Sequence, residues 1–202
     1  LIRADRSVRN GSWGWRNKLE ASDIAGKRLL VLGYGRAGRR LAGLAQSFEM
    51  EIRAYDPFLM HGDWPAGPAT PVASLADGLS WADVVSVNVP KGDTPLLGAE
   101  EFAQVKRGVI IINTARGGIV DEKALTAALV AGHVGAAGLD VFDDEPPARD
   151  HPLLAFDQVV LTPHIAGLTQ QAAERMAVHS VQNVLDFFAG RIDSDLIVNK
   201  GF

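Results

Sequence analysis

The chain has 202 residues, 47% hydrophobic and 22% charged, with 20 Lys and Arg against 24 Asp and Glu and a formal net charge of −4. That is ordinary globular composition, and the length suits one large domain or one domain plus a fragment of a second. The acidic balance gives no basic footprint for nucleic acid, no apolar run reaches the about 18 residues of a membrane span, and the lack of cysteine removes disulfides, thiolate catalysis and Cys-type zinc sites.

The opening segment, "RADRSVRNGSWGW", lies outside the βαβ pattern of the rest. Leu1 has no charged-then-apolar leader after it, so a cytoplasmic protein, seen in part, is expected. From Lys27 onward strands and helices alternate. "RLLVLG" (28–33) is a strand that stops at glycine, and "AGRRLAGLAQSF" (37–48) is a helix with Leu41, Leu44, Ala45 and Phe48 on one face. "EIRAYD" (51–56) is a strand ending in an acid. A Gly- and Pro-rich loop (57–71) and a short helix over 74–79 follow. "DVVSVNV" (83–89) is a strand, "AEEFAQV" (99–105) a helix, and "VIIIN" (109–113) a strand read as buried on both faces. "DEKALTAALVAG" (121–132) is a helix closed by Gly132, and "AAGLDV" (136–141) and "QVVLT" (158–162) are the last strands. Such alternation predicts an α/β fold, a doubly wound parallel sheet covered on both faces. A long amphipathic helix is expected from Thr169 to about Gly190, with Met176, Val181, Leu185 and Phe188 among its apolar positions, before "DLIVNKGF" trails off. The division expected is 1–168 for the sheet domain, with 1–20 at a subunit interface, and 169–202 for the helix and tail.

"GYGRAG" (33–38) fits G-x-G-x-x-G between a strand and a helix, with Asp56 ending the next strand. Gly33 permits the tight turn, Gly35 lets a pyrophosphate approach the backbone, and Gly38 lets helix and strand pack closely. Asp56 would accept hydrogen bonds from ribose hydroxyls and repel a 2′-phosphate, so NAD is favoured over NADP. Ligands of such sheets sit outside the carboxyl ends of the strands, which singles out Asp56, Asn88, Thr114 to Arg116, Asp140 and His164. His61, His133, His151 and His179 are read as surface or structural. In "DVFDDEPP" (140–147), Asp143 and Asp144 are read as solvated, and Pro146 holds Glu145 extended.

"GYGRAG", "NTARGGIVDE", "GLDVFDDEPP" and "LTPHIAG", in that order, resemble the D-isomer-specific 2-hydroxyacid dehydrogenases, a family that includes phosphoglycerate, glycerate and hydroxypyruvate dehydrogenases. The resemblance implies a Rossmann-type NAD domain inserted into a substrate domain. Residues preceding this chain and its C-terminal tail would form that second domain. It further implies hydride transfer between NAD and C2 of a small 2-oxo or 2-hydroxy acid. By the same resemblance Arg116 holds the substrate carboxylate and carbonyl, where a planar fork of donors is needed. His164 is the general acid/base and Glu145 its carboxylate partner. Asp140 contacts the nicotinamide carboxamide, Arg36 and Ala37 lie at the pyrophosphate, and Val89, Thr114, Ala115, Arg116, His164 and Gly167 line the cofactor. Gly117 and Gly118 leave room for the substrate and the turn. No metal is implied, and the assembly expected is a homodimer that contacts no nucleic acid and no membrane, with Trp13 and Trp15 at the subunit contact. Many members have histidine at the position of Asn88 and an apolar pair at Lys91 and Gly92, so this chain departs from the family over 87–95, Thr94 included. An NAD-sensing binding protein like the C-terminal-binding transcriptional corepressors is the alternative, since these resemble the same family.

Overall fold

Leucine-rich and β-branched runs set the strands of this chain, and glycines or side-chain caps set where its helices begin. The structure, a computed structural model, describes residues 2–18 and 21–197. The chain divides into two units, residues 1–163 and 164–202.

The first unit opens with helix α1 (Ile2–Arg9) and a 3-10 helix (Trp13–Lys18), neither of which the sequence pattern announced. Seven strands follow: β1 (Arg28–Leu32), β2 (Glu51–Tyr55), β3 (Thr70–Pro71), β4 (Val84–Val87), β5 (Val109–Asn113), β6 (Val134–Leu139) and β7 (Val159–Leu161). All pair in parallel, in the order β3-β2-β1-β4-β5-β6-β7. Helices α2 (Arg36–Gln46), α3 (Leu75–Trp81), α4 (Ala99–Gln104) and α5 (Glu122–Val130) connect them. This is the doubly wound parallel sheet that the alternation predicts. The chain winds outward from β1 in both directions, so the order reverses between β1 and β4, the place where such sheets bind ligands.

Alternate residues of β1 serve two cores. Leu30 and Leu32 join Val85, Val87, Ile111 and the α3–α5 residues Leu79, Phe102, Leu125 and Leu129. Leu29 and Val31 join Ile52, Ala54 and the α2 residues Ala42 and Ala45. Each fully buried leucine contributes about 1.5–3 kcal/mol.

Two expectations about packing need correction. The face of α2 that is buried consists of Gly38, Ala42 and Ala45, while Leu44 and Phe48 are exposed. The helix lies so close to β1 that a side-chain carbon on Gly38 would stand 2.0 Å from the Gly33 carbonyl oxygen, so only small residues fit the contact. Strand β5 is likewise buried on one face: Val109, Ile111 and Asn113 are covered, whereas Ile110 is exposed. Ile110 and Ile112 share an apolar groove with Ile24, Leu44 and Phe48 of the same unit.

In the second unit the Thr169 hydroxyl accepts the Ala172 N–H at 3.0 Å and starts helix α6 (Gln170–Phe188). None of its residues is buried; Met176, Val181, Leu185 and Phe188 are all exposed. A 3-10 turn (Ser194–Leu196) follows, and 198–202 of the trailing "DLIVNKGF" lie outside the described residues, as do Leu1, Leu19 and Glu20 of the opening segment. Among the described residues no helix is long and apolar enough to cross a membrane.

Candidate active site

The glycine-rich turn runs straight off the buried end of β1. Gly33 adopts φ +89°, and a side-chain carbon there would lie 2.7 Å from the Asn88 carbonyl oxygen, so the left-handed turn and the close pass of the β4 loop both demand glycine. Gly35 is exposed and has nothing within 4 Å of its absent side chain. It is also the N-cap of α2, and no side chain caps that helix. The first N–H groups of α2 thus have no side-chain cap and lie at the positive end of an 11-residue helix, a ready cradle for phosphate.

Asp56 stands just past β2, half-buried, with both oxygens engaged by backbone. Tyr34 N–H donates to Oδ2 at 2.9 Å and Phe58 N–H to Oδ1 at 3.1 Å. Each carboxylate oxygen keeps acceptor capacity for a hydroxyl. Tyr34, a variable position of the fingerprint, is fully buried and stacks on Trp64 at 5.0 Å. Trp64 Nε1–H donates to the Ala69 carbonyl at 3.0 Å, and the Ala69 N–H donates to the Tyr34 hydroxyl at 3.4 Å. The loop expected to be irregular is therefore anchored under the turn, and it ends in the two-residue edge strand β3.

Across the switch point lies a cavity of about 640 Å³ lined by Ala37 from α2, Val87 at the end of β4, Asn88 to Lys91 after it, and Thr114 to Arg116 after β5. It thus gathers Ala37, Val89, Thr114, Ala115 and Arg116 of the residues singled out in the sequence. Asn88, in the departing loop, turns back: its Nδ2 donates to the Ser86 carbonyl at 3.1 Å and to the Ser86 hydroxyl at 3.2 Å. Lys91 adds a second cation to the lining, and its side chain lies against Gly118.

Arg116 is exposed, its Nη1 donating to the Ala115 carbonyl at 2.6 Å. What holds its loop is Asn113, 2% exposed, a residue the sequence treated only as the end of a strand. Ala115 N–H donates to Asn113 Oδ1 at 3.0 Å, and Asn113 Nδ2 donates to the Arg116 carbonyl at 2.9 Å. Buried and doubly bonded, Asn113 fixes the backbone that carries Arg116. A strand-end Asn before a glycine-rich turn is the local signal for such a bracket.

Gly117 has no open space beside it, whereas Gly118 faces the side chain of Lys91 at the cavity. A side-chain carbon on Gly117 would meet the Phe142 carbonyl oxygen at 1.7 Å, and Gly118 takes φ +77° beside the Lys91 side chain. They serve the turn and the neighbouring backbone. Asp143, read as solvated, is exposed yet accepts the Gly118 N–H at 2.6 Å. Glu145 precedes a cis peptide bond to Pro146, and its Oε1 accepts the Phe142 N–H at 3.0 Å. Asp140, immediately after β6, is 2% exposed and accepts a 2.5 Å bond from the Thr162 hydroxyl. In the second unit, His164 is exposed and adopts φ +53°, a conformation uncommon outside glycine, and Gly167 is exposed nearby in the chain.

The open side of Gly35, the uncapped start of α2 and the acid at Asp56 fit NAD: phosphates at the helix, ribose hydroxyls on the carboxylate.

Comparison with known proteins agrees. The family model described as "D-isomer specific 2-hydroxyacid dehydrogenase, NAD binding domain" matches residues 1–166. A D-3-phosphoglycerate dehydrogenase of Archaeoglobus fulgidus is 40% identical over 192 residues, covering 94% of this chain and 36% of its own length. A glyoxylate reductase of Korarchaeum cryptofilum is 36% identical over 202 residues, 98% of this chain and 60% of its own. A crystal structure of a Thermus thermophilus protein superposes with a TM-score of 0.84 at 37% identity, over 96% of this chain and 61% of that one. The chain therefore spans between about a third and three fifths of the relatives it matches. It belongs to the D-isomer-specific 2-hydroxyacid dehydrogenase family and carries that family's NAD-binding domain.

Proposed function

We propose that the protein of which this chain is part is an NAD-dependent oxidoreductase interconverting a small D-2-hydroxy acid and its 2-oxo acid. The observation that carries this reading is the cavity at the switch point, which the Arg116 loop lines together with Ala37 of the dinucleotide fingerprint. The relatives named D-3-phosphoglycerate dehydrogenase and glyoxylate reductase support it. NAD, when bound, supplies or accepts the hydride at its nicotinamide.

The chain's own residues do the rest. Arg116 offers a planar, always charged fork to the substrate's carboxylate and carbonyl oxygen. His164 takes the proton from the 2-hydroxyl oxygen in one direction and returns it to the 2-oxo oxygen in the other. Glu145 orients the imidazole, and Asp140 contacts the cofactor's carboxamide. Arg36, Ala37 and Gly35 lie at the pyrophosphate; Gly33 and Gly38 shape its turn; Val89, Thr114, Ala115, Arg116 and Gly167 line the cofactor. The strained backbone of His164 supports a functional role, because such conformations persist where the surroundings impose them.

A homodimer is the assembly proposed. Trp13 is 65% exposed and Ile24, Leu44 and Phe48 leave apolar surface uncovered, which marks a contact rather than a bare face. A cytoplasmic location is part of the same proposal. No observation favours the corepressor alternative. The test is turnover of 2-oxo acids by the full-length protein with NADH: loss of absorbance with at least one such acid supports the reading, and none with a broad set refutes it.

A further inference from the structure

Glu122 is the first residue of α5, but it does not cap that helix. Asp121 already does so, its Oδ1 accepting the N–H groups of Lys123 and Ala124 at 2.9 Å each. Both oxygens of Glu122 point elsewhere. Oε1 accepts the Asp143 N–H at 3.0 Å, and Oε2 lies 3.0 Å from His151 Nε2. The two side chains are largely shielded, 15% and 17% exposed. Leu153 N–H donates to His151 Nδ1 at 3.3 Å, so Nδ1 is the acceptor and Nε2 carries the hydrogen given to Glu122. The Phe142 ring stands edge-on to His151 at 6.0 Å.

From Asp143 the contacts reach both functional loops. Its own carboxylate accepts the Gly118 N–H at 2.6 Å, two residues from Arg116. The preceding Phe142 presses its carbonyl on Gly117 and donates its N–H to Glu145 at 3.0 Å. One carboxylate, backed by one imidazole, thus holds the short segment against which both Arg116 and Glu145 are placed.

We propose that Glu122, held in place by His151, is a positioning residue that fixes the 142–145 turn against the 116–118 loop and so sets the relative placement of Arg116 and Glu145. The proposal rests on the roles given to those two residues above. Neither Glu122 nor His151 lines the cavity, so both act through the loops they hold. Displacement of a reacting group by about 1 Å can cost on the order of 100-fold in rate.

Three variants of the full-length protein separate positioning from simple folding. Glu122→Ala removes both acceptors. His151→Asn keeps an acceptor for the Leu153 N–H but is too short to reach Glu122. His151→Gln can again donate to Glu122. Amide hydrogen exchange at Gly118 and Asp143 is read without cofactor, alongside kcat, KM for the 2-oxo acid and Kd for NADH. Glu122→Ala and His151→Asn are expected to speed exchange at both amides at least about tenfold and to lower kcat/KM about 10–100-fold, with NADH affinity within about twofold. His151→Gln should recover most of the loss. Unchanged protection at Gly118, or faster exchange with kcat/KM within about twofold of wild type, overturns the proposal, as does failure of His151→Gln to rescue. If wild type turns over no 2-oxo acid, the proposed function fails by itself, and exchange at Gly118 still decides whether Glu122 holds the two loops.

Discussion

Gly117 and Phe142 touch backbone to backbone: a side-chain carbon on the glycine would lie 1.7 Å from the phenylalanine carbonyl oxygen. The loop after β5 and the turn after β6 are therefore one packed object. Arg116 lies three residues past the end of β5 and is exposed, on a loop bracketed by Asn113 and braced by that turn.

Gly117→Ala cannot be absorbed by a rotamer change, since the atoms it meets are backbone. Overpacking of this kind costs about 1–3 kcal/mol, here with the Arg116 loop displaced. Urea denaturation of the variant should show that loss together with a raised KM for the 2-oxo acid. A variant as stable as wild type with unaltered KM would mean the two backbones part without consequence.

Asp56 should set the choice of cofactor. Its oxygens are anchored by Tyr34 and Phe58 N–H groups, so the carboxylate cannot swing away from an adenosine ribose. Calorimetric titration should show NAD binding at least about tenfold more tightly than NADP, and Asp56→Asn should narrow the gap, because a 2′-phosphate then meets no like charge. Equal affinities in wild type would remove the role given to Asp56.

Asp83 immediately precedes the central strand β4, at the end opposite the proposed site, and bears on stability. Burial pushes its carboxyl pKa up, but the Lys106 ammonium bonded to it, the Arg28 N–H and the nearby Lys27 outweigh that and hold it below the usual carboxylate range. The stabilisation is therefore present above the unfolded value of about 3.9 and is lost as pH falls through the folded one. Asp83→Asn should cost about 1 kcal/mol at pH 7, and the difference from wild type should shrink and close in acid. A gap of constant size from pH 7 to pH 2.5 would show that the charge contributes nothing. NAD affinity should not change at any pH where both fold.

How much of this was legible beforehand follows from how local each signal is. Thr169 before a periodic run marked the start of α6 to within one residue, since it caps a helix that begins at Gln170, and the glycine-rich turn after β1 needed only a few neighbouring residues to be read. Strand β6 begins at Val134, earlier than the sequence suggested, because Gly135 reads as a breaker; it is glycine since the Gly108 carbonyl passes 2.7 Å from where its side chain would start. The buried face of α2 was misassigned because hydrophobicity ranks Leu44 above Gly38, while the closeness of helix to strand reverses that order. The bond from Glu122 to His151 joins residues 29 apart through two loops, and no periodicity announces such a link.

His164 should prove indispensable in both directions. His164→Asn keeps a residue tolerant of the left-handed backbone at φ +53° while removing the group that moves the proton. A loss of about 10²–10⁴ in kcat with NAD affinity retained is expected. Loss of less than about threefold would place the proton transfer elsewhere.

The most direct test of the whole reading is the substrate dependence of Arg116 variants in the full-length protein. NADH consumption would be followed with glyoxylate, hydroxypyruvate and 3-phosphohydroxypyruvate, for wild type, Arg116→Lys and Arg116→Ala. The account predicts that wild type consumes NADH with at least one of these acids. It also predicts that both variants lose at least about 100-fold in kcat/KM, lysine included, because a point charge cannot replace the guanidinium fork. NADH affinity should stay within about threefold, since the phosphate and ribose contacts lie at Gly35 and Asp56. Wild type consuming NADH with Arg116→Ala nearly as fast would contradict the account at its centre.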